Sequence, residues 1–414
     1  MMGGVRRPAR RPPNDVSPSS TAETTPEHSP RVAVIGAGAF GGWTALQLQR
    51  MGAHVTLFDI WGPGNSRSSS GGETRLLRGL YGPDRLYVQW VARSLDLWRE
   101  CEHFCGFPLY QRTGVLWMFG GSDEYCRESL SPARELGFRV DALEFSEAER
   151  QFPQVRFEGV RTAYFEHEAG FLRARQACYA ICEEFQREGG TYAQISASPG
   201  PIESQAMRCI ELADAYQLAA DQYVFACGPW LGRLFPEVLG AAIRPTRQEV
   251  YYFGAPSGEG GFDADQFPSW MDLGDRIYYG FPNVDRRGLK VADDTRGPEF
   301  DPTDGDRSPS PDGVARARDY LASRFPRLAG APLLEARVCQ YENSPDGHLI
   351  VDRHPEAANV WLVGGGSGHG FKLGPALGEH VARCVLGRAE PEPLFSISRV
   401  AGLASPHTQF GRPA

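Results

Sequence analysis

Long hydrophobic runs are missing from this 414-residue chain. No apolar stretch approaches the roughly twenty residues that a membrane-crossing helix needs, so a soluble protein is expected. An excess of positive charge is missing as well, since 43 Lys and Arg stand against 51 Asp and Glu for a formal net charge of -8. That balance gives no electrostatic reason to expect nucleic acid or an anionic membrane as a partner. Complete metal-ligand sets are also lacking. Among the nine cysteines, Cys101 with Cys105 and Cys178 with Cys182 stand four apart in helix-like sequence. Neither pair has a nearby His or Cys to complete a tetrahedral site, so no metal is expected and reduced thiols in the cytoplasm are the default. Residues 1–30 are rich in Pro, Ser and Thr and have no apolar core. They are expected to form a disordered tail, not a secretory signal or a membrane span. The terminal "FGRPA" is not a peroxisomal address.

What is present begins with length, which is too great for one compact core and implies two domains. Forty-eight glycines and thirty-two prolines suit tight turns and close backbone approach to a ligand. The most informative stretch is "RVAVIGAGAFGGWTALQLQRMGAHVTLFDI". Residues 31–35 read as a buried parallel strand, followed by Gly36, Gly38 and Gly41 in a G-x-G-x-x-G arrangement and a helical pattern to about Arg50. Gly36 permits the sharp turn, Gly38 admits a pyrophosphate against the backbone, and Gly41 lets the helix pack on the strand. The helix N-terminus offers unpaired N–H groups to phosphate. A second strand ends at Asp59, placed to accept hydrogen bonds from a ribose diol. After Asp59 comes "WGPGNSRSSSGGETRLLRGLYG" in place of another β-α unit, which favours an extended FAD over a nicotinamide cofactor. Its second half reads as a helix in which Arg75 and Arg78, three apart, share a face.

These segments, with "YYGFPNVDRRGLK", "VCQYENSPDGHLIVD" and "GGGSGHGFKLG", resemble the monomeric sarcosine oxidase and N-methyltryptophan oxidase family of FAD-dependent amine oxidases, within the D-amino-acid-oxidase-like superfamily. The resemblance spans Arg31 to about Phe395. It implies an α/β (α+β two-domain) flavoprotein, with a Rossmann-type FAD-binding domain and an antiparallel-sheet substrate domain. The FAD side is expected from 31–109, 151–234 and 336–395, the substrate side from 110–150 and 235–335, and a C-terminal tail from 396–414. Residues 298–313 read as a polar surface connection.

The resemblance also distributes roles. Cys339 matches the cysteine joined to the flavin as a thioether; the competing reading is a buried structural thiol beside non-covalent FAD. Lys290 matches the oxygen-activating lysine, Arg78 and Lys372 the pair that grips a substrate carboxylate, and Arg75 an arginine over the flavin. Tyr341 matches an aromatic of the substrate pocket, and His369 lies in the Gly-rich turn (Gly366, Gly368, Gly370) that closes on the flavin. Phe40, Ser68, Ser69, Thr74, Gly228 and Trp230 are the remaining expected cofactor contacts. Asp294 departs from the family, replacing a histidine four residues beyond the lysine, and Ser70 and Gly71 replace histidines before the "TR" pair. A carboxylate at 294 favours a cationic amine, disfavours an extra anionic group, or acts as a general base if desolvated. The expected activity is oxidation of an amino-acid C–N bond to an imine, with oxygen reduced to hydrogen peroxide, by a monomer. The alternatives are a dehydrogenase feeding an electron carrier and a flavin-binding module without turnover.

Overall fold

The computed structural model describes residues 29–255 and 261–400. Strand β1 (Arg31–Ile35) is buried from its second residue onward and lies at the centre of a six-stranded sheet. On one side it pairs in parallel with β2 (His54–Phe58), which pairs in turn with Thr191–Ala193. On the other it pairs in parallel with Gln222–Phe225, which pairs with Ala357–Gly364; Ile350–His354 closes that edge antiparallel. Helix α1 (Ala39–Arg50) covers the sheet with its first ten residues buried. A strand buried on both faces reads as a continuous apolar run, which is why "VAVI" shows no alternation.

The closest helix contact sets the position of α1. It packs on the C-terminal helix Gly374–Val385, and a Cβ built on Gly378 would stand 2.6 Å from the Trp43 carbonyl carbon. Only a glycine allows that approach. Trp43 meets Trp98 of α2 (Arg85–Cys105) edge-on at 5.2 Å between ring centroids.

The second layer is an eight-stranded sheet. Its order is Leu333–Asn343, Arg244–Phe253, Leu289–Asp293, Ile277–Phe281, Ser269–Leu273, Val115–Phe119, Thr162–Glu166, Val140–Leu143. All neighbours run antiparallel except Ser269–Leu273 with Val115–Phe119. The two longest strands pair Cys339 with Gln248 and Tyr341 with Thr246. Being two apart, Cys339 and Tyr341 project to one face.

Three sequence expectations meet a different structure. Residues 74–77 form strand β3 (Thr74–Leu77), not a helix, and β3 pairs antiparallel with Gly170–Arg173. A four-residue run has too few residues to show a period, and the distant pairing decides its state. Arg75 and Arg78 therefore share no helical face. The strands Thr162–Glu166 and Leu333–Asn343 belong to the eight-stranded sheet although they fall largely within ranges expected on the FAD side. The 298–313 connection ends at Ser310, whose hydroxyl caps the helix Pro311–Arg324 by accepting from the Gly313 N–H at 3.1 Å. Part of it is not surface at all: Phe300 is buried, and Thr303 lines an internal cavity. Residues 1–28 and 401–414 of the expected tails lie outside the described residues, and Ile397–Val400 form a short 3-10 turn. Among the described residues, no helix is long and apolar enough to cross a membrane, and no group of three or more His, Cys, Asp or Glu is arranged to hold a metal.

Candidate active site

A cavity of about 350 Å³ opens at the carboxyl ends of β1 and β2, where open parallel sheets hold their ligands. Gly36 has φ +106°, and a Cβ there would lie 2.3 Å from the Ala226 carbonyl oxygen. A Cβ on Gly41 would lie 1.8 Å from the Gly36 carbonyl oxygen, so the turn and the helix start require glycine at both positions. Gly38 is the N-cap of α1 and lines the cavity, and the next N–H, that of Ala39, donates to the Ser70 hydroxyl at 3.1 Å. Asp59 also lines it; one carboxylate oxygen accepts from the Ala37 N–H at 2.8 Å, the other from Trp61 and Gly62 at 2.9 and 2.8 Å. Burial raises its pKa, and the three backbone donors pull it back.

Further along the wall are Phe40, Ser68, Ser69, Gly228 and Trp230. The Trp230 indole donates to the Thr303 hydroxyl at 2.8 Å and stacks obliquely on Trp61, with centroids 5.0 Å apart. The cavity ends against Tyr341, Gly366, Gly368, Gly370 and Phe371. Its shape and chemistry suit FAD. The glycine turn and the α1 N-terminus, with the Ser70 hydroxyl accepting from the Ala39 N–H at 3.1 Å, form a phosphate cradle, and Ser69 Oγ is buried without a hydrogen-bond partner among the described residues.

Arg75 connects this cavity to the next group of residues. It is on the cavity wall, donates to the Ser69 carbonyl at 2.6 Å, and approaches the Cys339 sulfur at 3.7 Å. Cys339 itself is partly exposed and adjoins the cavity through Arg75. Lys290 is 2% exposed; its Nζ donates to the Thr74 carbonyl at 3.1 Å and the Thr74 hydroxyl at 3.2 Å, and lies 4.7 Å from the Phe281 ring centroid. Burial, then the positive charge of Arg75, holds its pKa well below the usual lysine value.

Beyond Tyr341 the charges concentrate. Arg78 and Lys372 are each 2% exposed, and both approach Tyr81, with Arg78 Cζ 4.6 Å and Lys372 Nζ 4.9 Å from its centroid. Arg78 also hydrogen-bonds the Tyr125 hydroxyl at 3.0 Å and the Leu80 carbonyl. Lys372 Nζ donates to the His369 carbonyl at 2.8 Å, and burial followed by Arg78 lowers its pKa well below normal. Their counter-charge is Glu166, fully buried, which accepts from the Gly79 N–H and, at 3.1 Å, from the Trp117 indole. Burial raises its pKa to about 7, against the pull of its two hydrogen bonds, Arg78 and Lys372. The Tyr341 hydroxyl donates to Asp294 at 2.8 Å. Asp294 is 4% exposed, and burial raises its pKa while Arg296, Tyr341 and Arg78 oppose the rise. His369 is engaged through both ring nitrogens, Nδ1 with the Tyr81 hydroxyl at 3.0 Å and Nε2 with the Gly347 carbonyl at 2.8 Å. Burial, then Lys372, keeps the imidazole neutral.

The structure thus groups Gly36, Gly38, Phe40, Asp59, Ser68, Ser69, Arg75, Gly228, Trp230, Tyr341, Gly366, Gly368 and Gly370 around the cavity. Gly41 sits behind the turn. Cys339 and Thr74 adjoin Arg75, Lys290 adjoins Thr74, and Arg78, Lys372, His369 and Asp294 form a cluster beyond Tyr341. Sequence reasoning missed Glu166, Tyr81 and Thr303. Glu166 is the end of an ordinary-looking strand, and no sequence spacing links it to Arg78 or Lys372. Lys290 and Lys372 are the only two lysines in the chain, a signal that was available in the composition.

A parallel sheet carrying a glycine phosphate cradle, a largely antiparallel sheet that supplies Lys290, and the buried cations Arg78 and Lys372 on the connecting segments together define a flavoprotein oxidoreductase. A family model described as FAD dependent oxidoreductase matches residues 31–384. The chain belongs to that family and is an FAD-dependent enzyme. It is 32% identical over 384 residues to a monomeric sarcosine oxidase of Bacillus sp. (strain B-0618), covering 89% of this chain and 96% of the relative. It is 29% identical over 377 residues to an N-methyl-L-tryptophan oxidase of Salmonella heidelberg (strain SL476), covering 88% of this chain and 98% of the relative. Its fold matches the L-proline dehydrogenase from P. horikoshii with a TM-score of 0.77 at 21% identity, over 91% of this chain and 98% of that one.

Proposed function

We propose that the protein oxidises the C–N bond of a carboxylate-bearing secondary or cyclic amine to the imine, with oxygen as electron acceptor and hydrogen peroxide as co-product. The observation that carries this reading is the convergence of Arg78 and Lys372 on Tyr81, beside the cavity that suits FAD. When bound, FAD supplies the two-electron acceptor for the hydride equivalent leaving the substrate carbon. The protein supplies everything that positions and prepares the substrate.

Arg78 offers a planar fork and Lys372 a point charge to one carboxylate. An arriving carboxylate favours the ammonium form of Lys372 and so offsets the burial that lowers its pKa. Glu166 keeps the pair from repelling itself apart before substrate enters. Asp294, oriented by Tyr341, accepts the proton of the incoming substrate ammonium and frees the nitrogen lone pair. Tyr81 and His369 hold the clamp in register through their mutual hydrogen bond. Lys290 presents an amine whose affinity for a proton rises as negative charge develops on oxygen, which stabilises that charge. Cys339, on the same face of its strand as Tyr341, is the proposed site of covalent attachment. The names of the oxidase relatives support the amine substrate and the oxygen acceptor, and the reading keeps the protein a cytoplasmic monomer.

A panel of N-alkyl and cyclic amino acids, incubated in air with purified protein, tests the proposal. Peroxide is expected in proportion to imine or its hydrolysis product. Flavin bleaching without peroxide, reversed only by an artificial acceptor, would make the protein a dehydrogenase instead. Acid precipitation is expected to leave the yellow colour in the pellet; a colourless pellet would remove the Cys339 attachment.

A further inference from the structure

Glu342 stands on the cavity wall with half of its carboxyl group unaccounted for. It follows Tyr341 on the strand Leu333–Asn343, is 6% exposed and lines the cavity. Oε1 accepts the Gly366 N–H at 3.0 Å, whereas Oε2 is buried and has no hydrogen-bond partner among the described residues. Two glycines define where the group points. A Cβ on Gly228 would lie 3.1 Å from Oε2 and one on Gly366 would lie 3.0 Å from Oε1, so the carboxyl is wedged between two bare backbone segments at the cavity edge.

We propose that Glu342 is a cofactor-holding residue whose carboxyl carries a proton and donates it, through Oε2–H, to an acceptor oxygen of bound FAD. A buried polar atom left without a partner costs free energy, and the ligand of this cavity is the partner within reach. The protonated form is the compatible one. The same cavity holds the glycine turn and the α1 N-terminus, which suit a negatively charged pyrophosphate. An ionised carboxylate beside that anion would repel it, whereas a neutral donor does not. Burial acts in the same direction, raising the Glu342 pKa to about 7 against the pull of the Gly366 N–H.

Few other ionisable groups face it. Cys227, on the turn after Gln222–Phe225, is a thiol that burial, Asp59 and Glu342 together push up. Asp59 and Arg75 are on the cavity wall. The paired strand presents Pro245 opposite Glu342, with Arg244 one residue away. The Gly366–Gly370 turn brings only His369, already engaged by Tyr81 and Gly347. None of these forms a hydrogen bond with Oε2.

The sign of the linkage follows. FAD prefers the protonated carboxyl, so binding takes up a proton above the free-state pKa, and affinity falls as pH rises through about 7. The inference rests on FAD occupying this cavity, and the experiment separates the two claims. In a Cys339→Ser background, where no thioether can mask dissociation, FAD is titrated into flavin-free protein by fluorescence quenching from about pH 6 to about pH 9. The dissociation constant is expected to rise by up to about tenfold per pH unit above pH 7. Adding Glu342→Gln, a permanently neutral donor, is expected to flatten the curve while keeping FAD bound. Calorimetry in two buffers of different ionisation enthalpy gives a second readout that needs no further variant: close to one proton taken up per FAD at about pH 8. A flat curve, a slope that persists in Glu342→Gln, or tighter binding at high pH would overturn the assignment. Absence of FAD binding at every pH would overturn the cofactor reading beneath it.

Discussion

Arg78 and Lys372 illustrate how single residues here are defined by burial more than by charge. Each is 2% exposed, and removing either leaves a carboxylate substrate, and Glu166, with one cation in place of two. Arg78→Met and Lys372→Met are each expected to raise KM by roughly 10–100-fold, the scale of one lost charge-assisted hydrogen bond. The effect on kcat should be smaller, and steady-state kinetics over a substrate series reads the split. A substrate analogue lacking the carboxylate should be indifferent to both changes. Asp294 yields a pH prediction. Its pKa is raised by burial, so the protonated form, unable to take the substrate's proton, persists to higher pH than for an exposed aspartate. The rate is therefore expected to fall as pH falls through that raised value, and Asp294→Asn should lower kcat/KM and remove this acidic limb. A limb that survives in Asp294→Asn would assign the titration to another group, with Glu166 the first to examine.

At the scale of elements, the contact between α1 and the helix Gly374–Val385 governs the phosphate cradle. A Cβ on Gly378 would meet the Trp43 carbonyl carbon at 2.6 Å and the Thr44 nitrogen at 2.8 Å. Gly378→Ala must push the helices apart, at a cost of roughly 1–3 kcal/mol. Because α1 begins at the cradle, the variant should lose FAD more readily as well as melt earlier; thermal unfolding with and without added FAD measures both. The same element shows what sequence could convey. The β1–α1–β2 unit was legible because each glycine answers a local backbone demand, and local demands are written in adjacent residues. Strand β3 was not legible. Residues 74–77 hold too few side chains to reveal a period, and their state depends on Gly170–Arg173, about a hundred residues away. Glu166 was hidden for the same reason, since its link to Arg78 and Lys372 exists only after the eight-stranded sheet has formed. The site lysines were placed by family resemblance; periodicity alone would have left Lys290 a plain strand residue.

Across the whole molecule, cationic character is carried almost entirely by arginine. Of 43 basic residues only Lys290 and Lys372 are lysines, and both are buried. Amine-directed labelling followed by intact mass measurement should therefore add at most one group, at the amino terminus, to the native fold. Denaturation should expose two more sites. Labelling of Lys372 in the native protein would contradict the closed clamp described above, and a saturating carboxylate ligand should not alter the native count.

That distribution bears on how such an enzyme survives its own turnover. Hydrolysis of an imine sets free an aldehyde or ketone, and primary amines condense with carbonyl compounds far more readily than guanidinium groups do. An outer shell whose cations are arginines gives such a by-product little to react with, so the catalyst is spared gradual carbonylation by what it manufactures.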